Sequence, residues 1–303
     1  MNVKEVFEFS KNTAKCYSED NLPKLAASLT YYTIFSIAPI ILIVVTVAGI
    51  FFGQEAVQGE ITANLSRFVK PETAKLIETV VQNTSDMGSG IFAIVVGVVV
   101  LVIGATTVFM DMQDSLNIIW RVKKDPNSGI WDVVKSRLIA FVIVIGAGVL
   151  ILVSFLITAL IPVLQDLITR IIPIPQFLLN LIGYLISFAV VFFMFLMIFK
   201  VLPDVELQTR DVAIGTLVTT VLFVFGQFLI GLYLNSAAVG ERFGPAGALI
   251  ALLVWVYYTS QVIYIGAEIT YNYAIKYGSG RAPSKHAVSM DEPEKKEYLN
   301  HSG

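Results

Sequence analysis

Charge is scarce in this chain. Of its 303 residues only 15% are charged and 56% are hydrophobic, whereas soluble domains carry about 25% charged residues. A soluble protein of this length needs a largely polar surface, so the scarcity argues against one. Cysteine occurs once, at Cys16, which excludes an intramolecular disulfide and any multi-cysteine metal cluster. The only histidines, His286 and His301, sit in the polar C-terminal tail, and the sequence offers no histidine–acid constellation expected to fix a metal and activate water. A nucleotide-binding loop is also lacking, because Gly88–Gly90 and Gly278–Gly280 have no lysine at the required spacing. The expectation is therefore no metal, no cofactor and no direct use of ATP. The segment before Leu25 carries eight charges and no short apolar core followed by a small-residue cleavage site. It is not expected to be a removable signal peptide, and the first apolar run reads as a retained signal-anchor.

What is present is six long uncharged runs, Leu25–Gly53, Met87–Met110, Leu138–Ile161, Gln176–Phe199, Val212–Gly240 and Phe243–Ala267, each of 24 to 29 residues. As helices they extend roughly 36–44 Å, enough for a hydrocarbon core of about 30 Å. Membrane β-strands would be shorter and alternate in polarity. The expected fold class is all-α, a polytopic membrane helical bundle with six transmembrane helices. Sixteen lysines and arginines fall in the N-terminal segment, the second and fourth connections and the tail, against five on the other side. The positive-inside rule then places both termini in the cytoplasm of a multi-pass plasma-membrane protein, the inner membrane if the cell is Gram-negative. The expected organisation is a cytoplasmic segment 1–24, a membrane domain 25–275 with an external amphipathic segment 54–86, and a disordered cytoplasmic tail 276–303.

Polar residues inside the runs are the candidate functional groups. Tyr257, Gln261, Tyr264, Glu268 and Asn272 follow one helical face of the last run; facing lipid they would be costly, so they point into the bundle or a wet cavity. Tyr257, Gln261, Tyr264 and Glu268, with Tyr32 and Ser36 of the first run and Thr220 and Gln227 of the fifth, are the candidate pathway or gate, and Glu268 is read alternatively as a packing or anchoring contact. Ser28, Tyr32 and Ser36 share a face of the first run, and Pro39 after them removes a backbone donor and marks a hinge candidate. Thr220 and Gln227 lie on one face of the fifth run, a helix–helix contact or the wall of a groove. Gly90, Gly97 and Gly104 recur every seven residues in the second run and suit close helix packing. Asp111, Asp114 and Asn117 follow as a polar edge, a weak metal signal better explained by pairing with Arg121, Lys123 or a charge from another loop.

Several stretches resemble the YihY/BrkB family of integral membrane proteins. Ala26-Ala27-Ser28-Leu29-Thr30-Tyr31-Tyr32 with Ser36 and Pro39 is similar to its first-run signature. Ser115-Leu116-Asn117-Ile118-Ile119-Trp120 resembles its segment after the second run, and Phe243-Gly244-Pro245-Ala246-Gly247-Ala248-Leu249-Ile250 through Trp255 to Gly266-Ala267-Glu268 resembles its last-run signature. The family often has a glycine-rich turn before that run, and Pro245 is expected to alter the turn's conformation. The matching positions are Tyr31, Tyr32, Ser36, Pro39, Asn117, Trp120, Trp255, Gly266 and Glu268. The resemblance implies an inner or plasma membrane protein whose family names include a virulence-factor label and an older ribonuclease BN label; it carries over no catalytic residue set.

Three function classes remain. A transporter or translocator of a lipid or envelope component fits the polar faces, Pro39 and the small soluble parts. A membrane scaffold or envelope-integrity factor without transport needs only packed helices. A ribonuclease fits poorly, since RNA binding favours a basic groove interleaved with aromatics, and the cytoplasmic cations are already explained by orientation. The chain is thus expected to be no enzyme, to meet membrane lipids and no nucleic acid. Oligomeric state, substrate and coupling ion have no signature in the sequence.

Overall fold

The computed structural model describes residues 3–36, 91–125, 176–235, 238–284, 286–290 and 295, with the side chains of 91–103, 105, 176, 179–180, 233–235 and 238–249 outside the description. In chain order the elements are α1 (Val3–Glu19), α2 (residues 22–36), α3 (Ile91–Ile119), β1 (Val122–Lys124), α4 (Gln176–Val201), β2 (Val205–Glu206), α5 (Thr209–Asn235), α6 (Ala238–Lys276), β3 (Ala282–Pro283) and β4 (Ala287–Ser289). They group into two compact units. One holds Met1–Leu25, Met112–Gly226 and Gln261–Gly303; the other holds Ala26–Asp111 and Gln227–Ser260.

Helix ends in the first unit are set by single residues in the left-handed region. Asn21, at φ 55°, stops α1, and the chain re-enters a helix at once with Lys24 N donating to Asn21 O at 2.8 Å. Asparagine tolerates that conformation better than most residues, and Pro23 suits the first turn that follows. Arg121, at φ 54°, turns the chain out of α3 into β1. Arginine has no such tolerance, and its backbone is held by others: Arg281 Nη1 donates to Trp120 O and Arg121 O, and Met290 N donates to Arg121 O.

The burial of α4 and α5 is inverted relative to a water-soluble core. On α5, Leu217, Val221, Phe225, Phe228 and Leu232 are exposed, while Thr216, Thr219 and Thr220 are buried. On α4, Leu181, Ile182, Tyr184 and Leu185 are exposed. In water such an apolar exterior would be an aggregation surface; against lipid tails it costs nothing. The buried hydroxyls are satisfied within their own helices, Thr216 donating to Val212 O, Thr219 to Gly215 O and Thr220 to Thr216 O. Phe195 on α4 meets Phe223 on α5 edge-on, with ring centroids 5.4 Å apart.

Helices α5 and α6 approach closely through two reciprocal small pairs. A Cβ placed on Gly215 would lie 1.7 Å from Thr270 Oγ1, and one on Gly266 would lie 1.8 Å from Thr219 Oγ1. Gly215 and Thr219 are four apart on one helix, Gly266 and Thr270 four apart on the other, so each glycine receives the partner's threonine. This is the small-residue packing by which membrane helices associate without a hydrophobic driving force between them.

Three helices among the described residues are long and apolar enough to cross a membrane: Leu181–Val201, Thr209–Leu232 and Ile250–Lys276. This corrects the expected six-helix bundle. The fourth, fifth and sixth apolar runs are realised as these helices. The first run is described only to residue 36, the apolar side chains of α3 to residue 103 are outside the description, and Leu138–Ile161 lies wholly outside it. Pro39, the external segment 54–86, and Gly90 and Gly97 are outside it as well. The expected turn around Pro245 is also corrected, because α6 is helical from Ala238 to Lys276 and carries Glu241, Arg242 and Pro245 within it. Pro245 is the eighth residue of α6, past its first turn, so the helix runs on there without the amide that would bond the Glu241 carbonyl.

The described part of the tail is not the disordered segment expected from its composition. Strand β3 pairs antiparallel with β2 (Val205↔Pro283, Glu206↔Ala282), and β4 pairs antiparallel with β1 (Val122↔Ser289, Lys124↔Ala287). The turn out of α6 is clamped by Asp211, whose Oδ2 accepts from Ser279 N and Ser279 Oγ, both at 2.8 Å. The tail thus ties together the two connections that follow α3 and α4.

In the second unit α2 lies against the end of α3. Ser28 Oγ donates to Asp111 Oδ1 at 2.6 Å, and a Cβ on Gly104 would lie 3.2 Å from Ser36 Oγ. The expected close packing at Gly104 is therefore seen, and Asp111 is bonded to a serine of α2.

Candidate functional site

The polar face of α6 supplies one wall of a buried cluster in the first unit. Gln261 Oε1 accepts from the Tyr17 hydroxyl of α1 at 3.0 Å. One turn on, Tyr264 is fully buried, and another turn brings Glu268, also 0% exposed. Asn272 Nδ2 donates to both Glu268 O, at 3.0 Å, and Glu268 Oε1, at 3.1 Å. The second carboxylate oxygen, Oε2, meets no nitrogen or oxygen donor among the described residues, and the Cys16 thiol lies beside the carboxylate.

Helix α1 and its turn supply the facing groups. Cys16 and Asp20 are four residues apart and so share a helical face. Asp20 is fully buried, and its Oδ1 accepts from the ammonium of Lys295, itself 2% exposed. Arg121 adds a second cation. Its Nη2 reaches Cys16 Sγ at 4.0 Å, and its guanidinium lies 4.9 Å from the centroid of the Tyr271 ring. Tyr271 in turn meets Trp120 edge-on at 5.7 Å. Two acids and Lys295 are therefore gathered out of water beside the half-buried Arg121, where a charge survives only with partners.

Burial first, and then the neighbouring Glu268 carboxylate, push the Cys16 thiol up to about 11 from an ordinary value of 9.0, against the opposing pull of Arg121. Since the thiolate is the nucleophile, Cys16 should label about a hundredfold more slowly near pH 8 than an unperturbed thiol. Its labelling rate with a small alkylating reagent should keep rising about tenfold per pH unit toward pH 11. The folded state binds this proton more tightly than the unfolded one, so the stability it contributes is complete below pH 9.0 and is lost as pH rises through about 11. A rate that levels off near pH 9 would contradict the placement of Glu268 beside the thiol.

The other expected site residues fall as follows. Tyr257 and Gln227 are exposed, and Trp255 is half-buried and stacked on Tyr258 at 6.2 Å; all three belong to the second unit. Tyr32 is half-buried beside the exposed Tyr31, and the buried Ser36 donates to Tyr32 O at 2.8 Å. Thr220 is buried in the first unit with its hydroxyl bonded along α5. Asn117 forms a clamp on the connection after α4: its Nδ2 donates to Asp204 Oδ2, and Asp204 N donates back to its Oδ1, each at 2.8 Å. Asp114 pairs with Lys124 at 3.7 Å, and burial raises its carboxyl above the usual range. Among the described residues no three His, Cys, Asp or Glu side chains could hold a metal ion.

Sequence reasoning found Gln261, Tyr264 and Glu268 but missed Cys16, Tyr17, Asp20, Arg121 and Lys295. The four-residue spacing of Cys16 and Asp20 was the one available signal.

A family model described as virulence factor BrkB matches residues 13–291. The chain is 25% identical over 268 residues to a UPF0761 membrane protein of Pseudomonas paraeruginosa, covering 88% of this chain and 62% of the relative. It is 24% identical to one from Psychrobacter over 89% of this chain and 49% of the relative, and 24% identical to one from Cronobacter sakazakii over 83% of each. The chain thus spans about half to three-fifths of the length of the first curated relatives it matches. No solved structure matches it.

Proposed function

From the premise that the chain belongs to the virulence factor BrkB family, a family of membrane proteins, we propose that it is a translocator of a lipid or envelope component and that Gln261, Tyr264 and Glu268 form its gate. Both termini face the cytoplasm in this reading, the membrane is the plasma membrane, and the chain performs no covalent chemistry. The observation that carries the proposal is Glu268: a fully buried carboxylate, on a helix able to cross a membrane, bonded by Asn272 and with the Cys16 thiol of α1 beside it. An ionisable group held there is costly, which favours a working role over a passive packing contact.

The test is reconstitution with accessibility. In a Cys16→Ser background, single cysteines at 257, 261, 264 and 268 should react with a water-soluble thiol reagent in membranes, and substrate should protect them. In intact cells a cysteine at 286 should stay unlabelled from outside. Glu268→Gln in proteoliposomes should change movement of a labelled lipid without loss of folded protein. Four inaccessible positions together with no transport across a panel of envelope lipids would end the translocator reading.

One feature favours the scaffold as the second reading. The reciprocal Gly215–Thr270 and Gly266–Thr219 contacts, with the tail strands laid across two connections, build a stiff assembly. A scaffold predicts that every variant retaining the folded bundle keeps its cellular role, Glu268→Gln included.

A further inference from the structure

The chain leaves α6 in two steps. Asp211 fixes the first: it holds Ser279, and a Cβ on Gly278 would run into its carboxylate. Gly280 makes the second. Its φ of 76° is a left-handed conformation that glycine adopts without strain, and nothing lies within 4 Å of a Cβ built there. A fixed point followed by an unhindered glycine at an element's end is the arrangement of a hinge.

Beyond that hinge the tail is held by short elements that converge on one turn. Strand β3 is two residues long and β4 three. Arg281 Nη1 donates to Trp120 O and Arg121 O, at 2.6 and 2.8 Å, and the buried Met290 donates its N–H to Arg121 O at 2.9 Å. These bonds keep Arg121 at φ 54°, a conformation that costs an arginine free energy. The same residue reaches α1 and α6, with Nη2 4.0 Å from Cys16 Sγ and the guanidinium 4.9 Å from the Tyr271 ring centroid. Lys295, further along, is paired with Asp20 at the end of α1. Short strands laid over a strained turn open at lower cost than a packed bundle unfolds. The bundle has contacts of its own in the Phe195–Phe223 pair and the reciprocal glycine–threonine contacts, which involve no tail residue.

We infer that the tail beyond Gly280 is a hinged strap, closed in this structure, that opens as one unit and controls the access of water to the Cys16–Asp20 face of α1. Closed, it holds Arg121 against Cys16 and Lys295 on Asp20. Open, it lets the Arg121 turn relax and bares that end of α1. The strap does not rest on translocation, since a scaffold would carry it equally.

The test is a reversible lock in the full-length chain, reconstituted in lipid nanodiscs. Lys124 and Ala287 are paired across β1 and β4, and residues opposite each other in an antiparallel pair lie within reach of a disulfide. In Lys124→Cys with Ala287→Cys, bridging leaves Cys16 as the one free thiol. Its alkylation near pH 8 should fall about fivefold on bridging and recover on reduction, Cys16 being followed by peptide mass. Arg281→Met removes two bonds to the turn and keeps the stem, so it should raise the Cys16 rate about tenfold. Hydrogen exchange of α6 amides around Gly266 should be the same in the bridged, reduced and Arg281→Met proteins, because the bundle stays shut when the strap opens. If Arg281→Met does not fold, the bridged pair still decides, as it keeps the tail in place. Equal Cys16 rates with the bridge closed and open, or an Arg281→Met protein labelling at the parent rate, would overturn the strap. So would Cys16 rates that change only in step with exchange at Gly266, which would assign the labelling to unfolding of the whole bundle.

Discussion

Gly266→Leu should leave almost no folded protein in the membrane, and Gly266→Ala should already lower the unfolding midpoint sharply. The first added carbon would lie 1.8 Å from Thr219 Oγ1, 2.9 Å from Thr219 Cβ and 3.2 Å from Phe199 Cζ. Two of those atoms sit on or next to the α5 backbone, so relief requires the helices to part. Overpacking of a tight contact costs about 1–3 kcal/mol even where side chains can adjust. Here parting also opens the reciprocal Gly215–Thr270 contact. Two controls separate this from a general intolerance of substitution. Gly231, on α5, has nothing within 4 Å of a built Cβ, so Gly231→Ala should be neutral or stabilising by up to about 1 kcal/mol through helix propensity. Thr219→Gly should recover part of the loss in Gly266→Ala, because it removes the nearest atoms. Thermal unfolding in detergent, followed by fluorescence-detected size exclusion, reads all four variants. A Gly266→Ala protein as stable as Gly231→Ala would mean that α5 and α6 do not meet as described.

Legibility in the sequence followed the reach of each interaction. The apolar runs that became α4, α5 and α6 were readable because a lipid-facing helix must exclude charge along its whole length, a condition on composition alone. The expected boundary at Glu241 and Arg242 failed because charge at the start of a run marks the edge of an apolar stretch, while the helix that carries it can continue; α6 does so from Ala238. The tail strands had no signal. They are two or three residues long, show no alternation, and exist because partners such as Val122 and Val205 lie far away in sequence. The site divides the same way. Gln261, Tyr264 and Glu268 share one helix and announce themselves by period, whereas Asp20 and Lys295 are 275 residues apart and had no local pattern to join them. Asn117 stood out as a motif residue, yet its partner Asp204 became visible only when the connection after α4 folded back onto α3.

Asp20→Asn should be among the most damaging single-atom-scale changes in the chain, costing about 3–5 kcal/mol, the usual consequence of removing one partner of a buried ion pair. Asparagine keeps the size and an acceptor oxygen, so packing is preserved and the change is one of charge. The fully buried Asp20 holds Lys295, itself 2% exposed, and without the carboxylate that ammonium loses its ion-pair partner in a cluster that already holds Arg121. Lys295 must then lose its proton or leave. Asp20→Asn with Lys295→Met should be far milder than Asp20→Asn alone, since it removes both charges and keeps an apolar stem; exchanging a buried pair for apolar volume is often close to neutral. The double-mutant cycle therefore yields a large favourable coupling between positions 20 and 295, and neighbouring residues in one charge network show coupling of up to about 3 kcal/mol. Unfolding midpoints of the parent, the two single variants and the double variant, measured in one lipid composition, complete the cycle. Additive losses at the two positions would show that Asp20 and Lys295 do not share a buried contact.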